Sequence, residues 1–495
     1  MVLSIYLAIF TTTLAFLVIL RQKSQQNAKL PPGPVGVPIL GYLPFMDVFH
    51  LGPAFKKIGE KFGDVFSLKV GTELAVVLNS YESIKKAFAQ EELCSRPNTF
   101  MFRFFSHGEN GIASASGEKW KVQSKFALTQ FKKLGLGKSK MENHMADEID
   151  QLIENLEQAS KNGTKPVEIG FSINVAIVNV MWAMLTGERK SQNDPTLMGL
   201  LKAVNRCIEL ATTSGILLFM PFLIKILPEC IFGITEMRKL MKKTYGYLQK
   251  VIQEHKENLE SEEQEESKDF IDAFLKEMKK PDKHQSFNEF QLQVLCSELF
   301  GAGGEPTAVT LKWAIRYLAK YPEIQKKVQA ELDSITHGNS RKISLSDRQN
   351  LPYFQALIMD LIRISDIHPI GVLHSPSQDT QIEGYWVPKG TFVIPNFHKV
   401  HHDPQYWEKP DELYPEHWLH HGEFVSKHEG FLSFGTGKRR CPGHDIALME
   451  LFMFLSRLMQ RFTFELAPGD EGQVESTAGC VVSPKPYMIN LIPRH

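Results

Sequence analysis

Cys441 stands in the run FGTGKRRCPG, residues 434 to 443, among three glycines and three basic side chains. Apolar residues follow it at helical spacing: Leu448, Leu451, Phe452, Leu455, Leu458 and Phe462 share one face. The cysteine is therefore expected at a helix N-terminus, where free backbone N–H groups stabilise a thiolate. Gly437 and Gly443 permit a tight loop and the close approach of a flat ligand. Arg439 can pair with a carboxylate. A thiolate presented in this way suits the axial position of haem iron. A cysteine alone is more often a buried structural thiol. The spacing F-x-x-G-x-R-x-C-x-G, from Phe434 to Gly443, reverses that reading.

A second run breaks a rule of local structure. GAGGEPTAVT, residues 301 to 310, interrupts a long helical pattern that has Leu295, Leu299 and Phe300 on one side and Leu311, Ala314, Ile315 and Leu318 on the other. A proline inside a helix removes one hydrogen bond and clashes with the carbonyl four residues back, at a cost of about 3 kcal/mol. Gly303 and Gly304 weaken the same turn further. A local violation of this kind is expected at a functional site.

With these motifs in place, the chain resembles the cytochrome P450 family, and the likeness runs from about residue 30 to the end. PPGPVGVPILG near the start, DFIDAFL at 269 to 275, the GYWVPKGT turn and the PGHDIALMELFMF helix are similar to its animal microsomal branch, which oxidises steroids, fatty acids and foreign compounds. The resemblance implies haem b as cofactor with Cys441 as its ligand, and Arg96, Trp120, His374 and Arg439 around the haem propionates. Phe434, Gly437 and Gly443 belong to the haem loop. The family's Glu-x-x-Arg becomes Asp360-Leu361-Ile362-Arg363 here, with His417 of YPEHW as the expected third partner in a structural network. In the family the helix above the haem is opened, and Ala302-Gly303-Gly304-Glu305-Pro306 occupies that place. Small residues there would make room for dioxygen and substrate, and Pro306 would free the Ala302 carbonyl. Glu305 and a hydroxyl would relay protons. Pro306 replaces the usual threonine, so Thr307 is expected to take over the relay if the helix is distorted, since one residue is about 100° on a regular helix. Ala302, Ile370 and Val372 are expected to line the substrate pocket. Three further departures are Ser124 where an arginine is usual, Ser433 where a proline is usual, and Asp360 itself.

These residues need a scaffold, and the periodicity supplies it. Helical patterns cover 141–160, 236–260, 288–335, 352–364 and 443–462, and strand-like pieces are short: 64–70, 74–79, 381–387 and 391–395. GYWVPKGTFVIP reads as two short strands joined by a Pro-Lys-Gly turn. The expected fold is mainly α with small β-sheets: one large haem domain, residues 46–495, behind a basic, proline-rich linker at 22–45 and a membrane anchor at 1–21. Residues 1–20 carry no charged side chain and are long enough to cross a bilayer as a helix. Arg21, Lys23 and Lys29 follow, which places the remainder on the cytosolic side. An endoplasmic reticulum membrane location follows from the resemblance. ILLFMPFLIKILP, 216–228, is expected either in the core or against the membrane beside the anchor.

Lys plus Arg and Asp plus Glu are both 56 in 495 residues, so whole-chain charge offers no argument for nucleic acid. The six cysteines include no CxxC pair, which excludes zinc-ribbon spacing and suits a reducing compartment. The resulting expectation is a haem-thiolate monooxygenase that takes O2, a small apolar substrate and electrons from NADPH-cytochrome P450 reductase. Lys121, Lys125, Lys132, Lys133, Lys138 and Lys140, with Lys438 and Arg440, are expected to dock that partner. Two alternatives stand beside it. One is a haem-thiolate isomerase or dehydratase of a hydroperoxide, suggested by Pro306. The other is a non-catalytic haem-binding protein, suggested by the departures. Phe102, Phe104 and Phe105 say only that the pocket is apolar.

Overall fold

The computed structural model describes residues 29–134, 139–261, 266–477, 479 and 481–494. The expected anchor at 1–21, the first part of the linker, and the Lys138 and Lys140 side chains lie outside the described residues. Among the described residues no helix is long and apolar enough to cross a membrane.

Helices dominate, and those that build the site are α1 (Leu51–Phe62), α2 (Tyr81–Ala89), α3 (Gly117–Leu134), α4 (Ser139–Ser160), α5 (Gly170–Thr186), α6 (Glu289–Lys320), α7 (Pro352–Ser365), α8 (Phe397–His401) and α9 (His444–Arg461). The expected helix 288–335 is two helices, because Tyr321 and Pro322 end α6 and start another at Pro322–Ile335. Helix α6 starts at Asn288, whose side chain accepts from the Gln291 N–H. It then runs 32 residues without interruption, with Pro306 inside it. The expected distortion is therefore absent as a break. Burial of most of the helix from Leu292 to Ala319 offsets the local cost of the proline.

The two glycines explain part of the violation. A Cβ at Gly304 would lie 2.5 Å from Val178 Cγ2, and one at Gly303 would lie 2.5 Å from Met181 Cε, both on α5. Glycines let α6 cross close over α5, which is apolar on every side and buried almost throughout. Their first service is helix packing. The expectation that they make room for dioxygen and substrate is corrected accordingly.

The sheets are small. Strands β1 (Val65–Val70) and β2 (Glu73–Leu78) form an antiparallel pair with Val65 opposite Leu78. Strands β3 (Thr380–Ile382) and β4 (Tyr385–Val387) pair around Glu383 and Gly384, both at positive φ, as a two-residue turn between twisted strands requires. Strand β5 (Phe392–Pro395) does not pair with β4: it adds in parallel to β2, with Ala75 opposite Phe392. The Pro-Lys-Gly segment is thus a crossing between two sheets instead of a hairpin turn. Strands β6 (Leu419–His420) and β7 (Glu423–Phe424), and β8 (Phe462–Leu466) and β9 (Ile489–Pro493), make two further antiparallel pairs. The segment 216–228 divides between the two expected fates: Leu217, Phe219 and Met220 are buried, whereas Ile226 and Leu227 are exposed.

Candidate haem-thiolate site

The loop before α9 is closed by its own backbone. The Cys441 N–H donates to the Phe434 carbonyl at 2.8 Å, and the Phe434 ring meets His444 edge to face at 4.5 Å. Gly437 sits at φ 70°, and a Cβ there would overlap the Phe88 carbonyl of α2, so this glycine is required by sterics. Gly443 has an ordinary φ of −86° and serves as N-cap of α9. Backbone N–H groups of Gly443 and His444 point at the Cys441 sulfur, as expected for a helix start. Burial nevertheless wins and raises the thiol pKa, while those N–H groups and Arg440 oppose it. A nearby metal cation, not the helix terminus alone, is what would deprotonate it. Cys441 is accessible even though the surrounding protein desolvates its sulfur.

Two guanidinium groups converge on the same region. Arg439 donates through Nε to the Cys94 carbonyl at 2.7 Å, through Nη1 to the Ile112 carbonyl at 3.1 Å and through Nη2 to the Ala115 carbonyl. Its guanidinium lies 4.0 Å from the Trp120 ring centre. Arg96 donates to the carbonyls of Ala113 at 3.1 Å, Leu373 at 3.0 Å and Val372 at 3.3 Å. Among the described residues neither has a carboxylate within ion-pair distance. Burial pushes Arg96 down to about 10; burial and the charge of Arg96 push Arg439 down to about 9. His374 stacks on Phe88 at 3.9 Å and shares its Nδ1 with the Leu93 carbonyl at 2.6 Å. Burial and the two arginines hold it neutral, well below its ordinary pKa. Two desolvated, unneutralised cations beside an accessible cysteine fit a flat group that carries two carboxylates and a metal. Arg96, Trp120, His374 and Arg439 are thus brought together, with Cys441 two residues after Arg439, and Val372 joins them through its carbonyl.

The structural triad is also assembled. Arg363 and Asp360 are fully buried, and Arg363 uses all five N–H groups. Nε and Nη2 donate to the Asp360 oxygens at 2.7 and 3.1 Å; the others reach the carbonyls of His401, Pro410 and Glu412 at 3.1, 2.6 and 2.7 Å. The Lys409 N–H donates to His417 Nε2 at 3.2 Å, so the proton is on Nδ1, which donates to Asp360 at 3.0 Å. The shorter Asp360 therefore still reaches both partners. Ser433 hydroxyl contacts at 3.4 Å, to the Ile362 carbonyl and His401 Nε2, tie the haem loop to α7 where the family proline is missing.

The oxygen-side residues divide. Ala302 is exposed in the middle of the otherwise buried α6. Pro306 has no N–H to offer its carbonyl. Glu305 has a buried oxygen, Oε2, with no hydrogen-bond partner, and burial raises its pKa, with Lys312 opposing. Thr307 departs from expectation. It is buried, and its hydroxyl meets the carboxyl of Glu450 on α9. In an unbroken helix Thr307 lies about 140° from Ala302, so the two cannot share a face.

Glu450 and Glu298 were not visible as functional residues in the sequence. The Glu298 carboxylate accepts from the N–H groups of Ile112 and Ala113 at 2.7 and 3.1 Å, and so holds the very segment whose carbonyls orient Arg96 and Arg439. Its spacing of seven from Gln291, which brackets Gly111 with two hydrogen bonds of 3.1 Å, was the available signal: two polar residues on a buried helical face. Burial pushes Glu450 up to about 8, with Thr307 opposing. Because the folded state holds this proton far more tightly than the unfolded chain, stability falls as pH rises from the ordinary carboxyl value toward 8. Each pH unit in that window costs up to about 1.4 kcal/mol. Glu450→Gln is expected to flatten this slope. Urea unfolding of both proteins at pH 6 and pH 8 checks it: the variant gains on the wild type at the higher pH.

Comparison with known proteins agrees with this geometry. The family model described as Cytochrome P450 matches residues 31–491. Cytochrome P450 2L1 of Panulirus argus is 34% identical over 471 residues, 93% of this chain and 94% of the relative. Cytochrome P450 2J5 of Mus musculus is 34% identical over 501 residues, 99% and 96%. Cytochrome P450 2D3 of Rattus norvegicus is 31% identical over 496 residues, 98% and 97%.

Proposed function

Because this chain belongs to the cytochrome P450 family of haem-thiolate monooxygenases, we propose that it inserts one oxygen atom of O2 into a small apolar molecule of the steroid, fatty acid or foreign-compound class. Electrons come from NADPH through a flavoprotein reductase. The observation that carries this reading is the pair Arg96 and Arg439, desolvated and without carboxylate partners beside Cys441. When bound, haem supplies the redox chemistry of O2 activation.

The chain's own residues do the rest. Cys441 ligates the metal as a thiolate. Arg96, Arg439, Trp120 and His374 hold the propionates, and the backbone carbonyls that grip the two arginines keep them from swinging into the pocket. Ala302, Ile370 and Val372 form the apolar wall against which the substrate lies. Glu305 holds a proton at the unpaired Oε2 and delivers it toward the pocket through water at the free Ala302 carbonyl. Asp360, Arg363 and His417 fix the loop that carries the thiolate.

A groove of about 510 Å³ lined by Trp120, Lys121, Ser124, Lys125, Leu128, Thr129, Lys132 and Lys438 supports reductase docking on this face. Ser124 therefore opens onto the groove. Glu91 already pairs with Lys121 at 2.7 Å and with Lys438, so of the cations that line the groove Lys125 and Lys132 are left for an acidic partner. Exposed Val35, Ile39, Phe45 and Phe49 support a membrane-facing band that continues to Ile226, Leu227 and Ile231, since Thr72 N–H ties the first sheet to the Phe219 carbonyl at 3.0 Å. The catalytic domain then lies on the cytosolic face of the endoplasmic reticulum membrane.

The burial of Thr307 against Glu450 favours a second reading, an isomerase or dehydratase of hydroperoxides, which needs no external proton relay. Turnover under labelled O2 separates the two. A monooxygenase puts one labelled atom into product and requires reductase and NADPH. Product formed from a hydroperoxide alone, with no reductase dependence, sinks the monooxygenase reading. On the first reading Glu305→Gln should lower the rate of product formation by about 100-fold, the lower range for a lost acid–base group, and lower product per NADPH, with hydrogen peroxide released instead. Unchanged coupling removes Glu305 from the relay.

A further inference from the structure

The turn NFHKVHHDP, 396–404, brings three histidines to the end of α7. Asp366 ends α7 in the left-handed conformation, φ 43°, with its carboxylate against α8. His401 Nε2 accepts the Leu432 N–H at 3.1 Å, so its proton is on Nδ1, facing Asp366 Oδ1 at 3.3 Å. Asp366 Oδ2 is turned to His398 Nδ1 at 2.7 Å. His402, four residues after His398, lies on the same side, with ring centres 4.4 Å apart. Its Nδ1 bonds Asp411 Oδ1 at 2.7 Å, which leaves the Nε2 lone pair uncommitted. One donor atom from each of Asp366, His398 and His402 lies within 4.8 Å of the other two.

We propose that Asp366, His398 and His402 form a binding site for a divalent transition-metal cation of the zinc class, separate from the haem. Two imidazoles and a carboxylate are a zinc ligand set, with water in the fourth position. Zinc donors at about 2 Å from the metal sit about 3.4 Å apart in a tetrahedron, so the pair of Asp366 and His398 opens by about 0.7 Å and the contacts to His402 close by at most about 1.4 Å. Side-chain exposures of 18% for His398, 12% for Asp366 and 13% for His402 leave an open side for entry and for the water. Asp411 on His402, and His401 on Asp366, are the outer hydrogen bonds that orient metal ligands. The cation takes the place of the proton that His398 shares with Asp366, so binding releases a proton. Occupancy pins Asp366, the first residue of the segment that carries Ile370 and Val372, to α8.

The test is equilibrium dialysis of the haem-loaded full chain against micromolar zinc chloride, with metal analysis and a melting curve. The wild type is expected to retain stoichiometric zinc and to melt higher with it. His398→Gln and His402→Gln are expected to lose both effects while keeping the wild-type haem spectrum. Asp411→Ala alters no ligand and lies at the surface, so it keeps the test decisive if a histidine variant misfolds. It should weaken zinc binding by about 10- to 100-fold. Absence of zinc from the wild type overturns the proposal. So does full retention by the variants, which would place the cation elsewhere, His255, Asp269 and Asp272 being the other cluster of suitable ligands among the described residues.

Discussion

Cys441→Ala is expected to abolish the strongly red-shifted absorption band that the reduced wild-type protein shows with carbon monoxide, and to bring turnover down to that of free haem. The shift requires a thiolate opposite carbon monoxide, and the variant has no sulfur at the start of α9. The loop should survive the change, because the Cys441 N–H to Phe434 carbonyl bond and the packing of Gly437 on Phe88 use no side-chain atom of Cys441. Haem can still enter through Arg96 and Arg439, and then absorbs at the ordinary position. The control is Cys94→Ser. The Cys94 carbonyl is held by Arg439, two residues before Cys441, but the Cys94 sulfur bonds the Gln90 carbonyl at 3.5 Å. That variant should keep the red-shifted band. A band that persists in Cys441→Ala and vanishes in Cys94→Ser would transfer the ligand to Cys94.

Arg363→Lys is expected to be the most destabilising conservative change in the chain. The guanidinium satisfies five acceptors at once, two on Asp360 and three backbone carbonyls. An ammonium has three donors and no plane, so at least two buried acceptors lose their partner and the Asp360 carboxylate loses its bidentate contact. Breaking a buried pair in this way costs about 3–5 kcal/mol. Its direct readout is haem retention: in a urea series the variant should release haem at a clearly lower concentration than the wild type. Equal midpoints would mean that the loop 401–417 is held by packing, such as that of the fully buried Trp407, and not by the Arg363 hydrogen bonds.

The residues that act through local spacing were legible in the sequence. The cysteine loop, α9, and the Asp360–Arg363 pair were read correctly because i, i+3 and i, i+4 relations and a helix start depend only on near neighbours. What failed depends on distant partners. The separation of β4 from β5 is decided by β2, more than 300 residues earlier in the chain. Gly303 and Gly304 looked like pocket residues because α5, which they meet, is invisible to the periodicity of α6. Thr307 looked available for the relay because nothing local announces Glu450, 143 residues further on. Pro306 misled in the opposite sense: its local cost suggested a break, but burial on both sides of it keeps the helix whole.

The crossing of α6 over α5 bears on how this protein can diverge. At position 303 the obstacle is the end of Met181, a flexible side chain that can swing aside, so alanine is an accessible change there. At position 304 the obstacle is Val178, whose branched Cβ is stiff and whose own Cα lies 3.5 Å from the added carbon. A lineage that enlarges Gly304 must shrink Val178 first, and the intermediate carries a cavity. The helix above the site is thereby frozen by a two-step barrier. Change in this part of α6 therefore comes more readily at position 303 than at position 304.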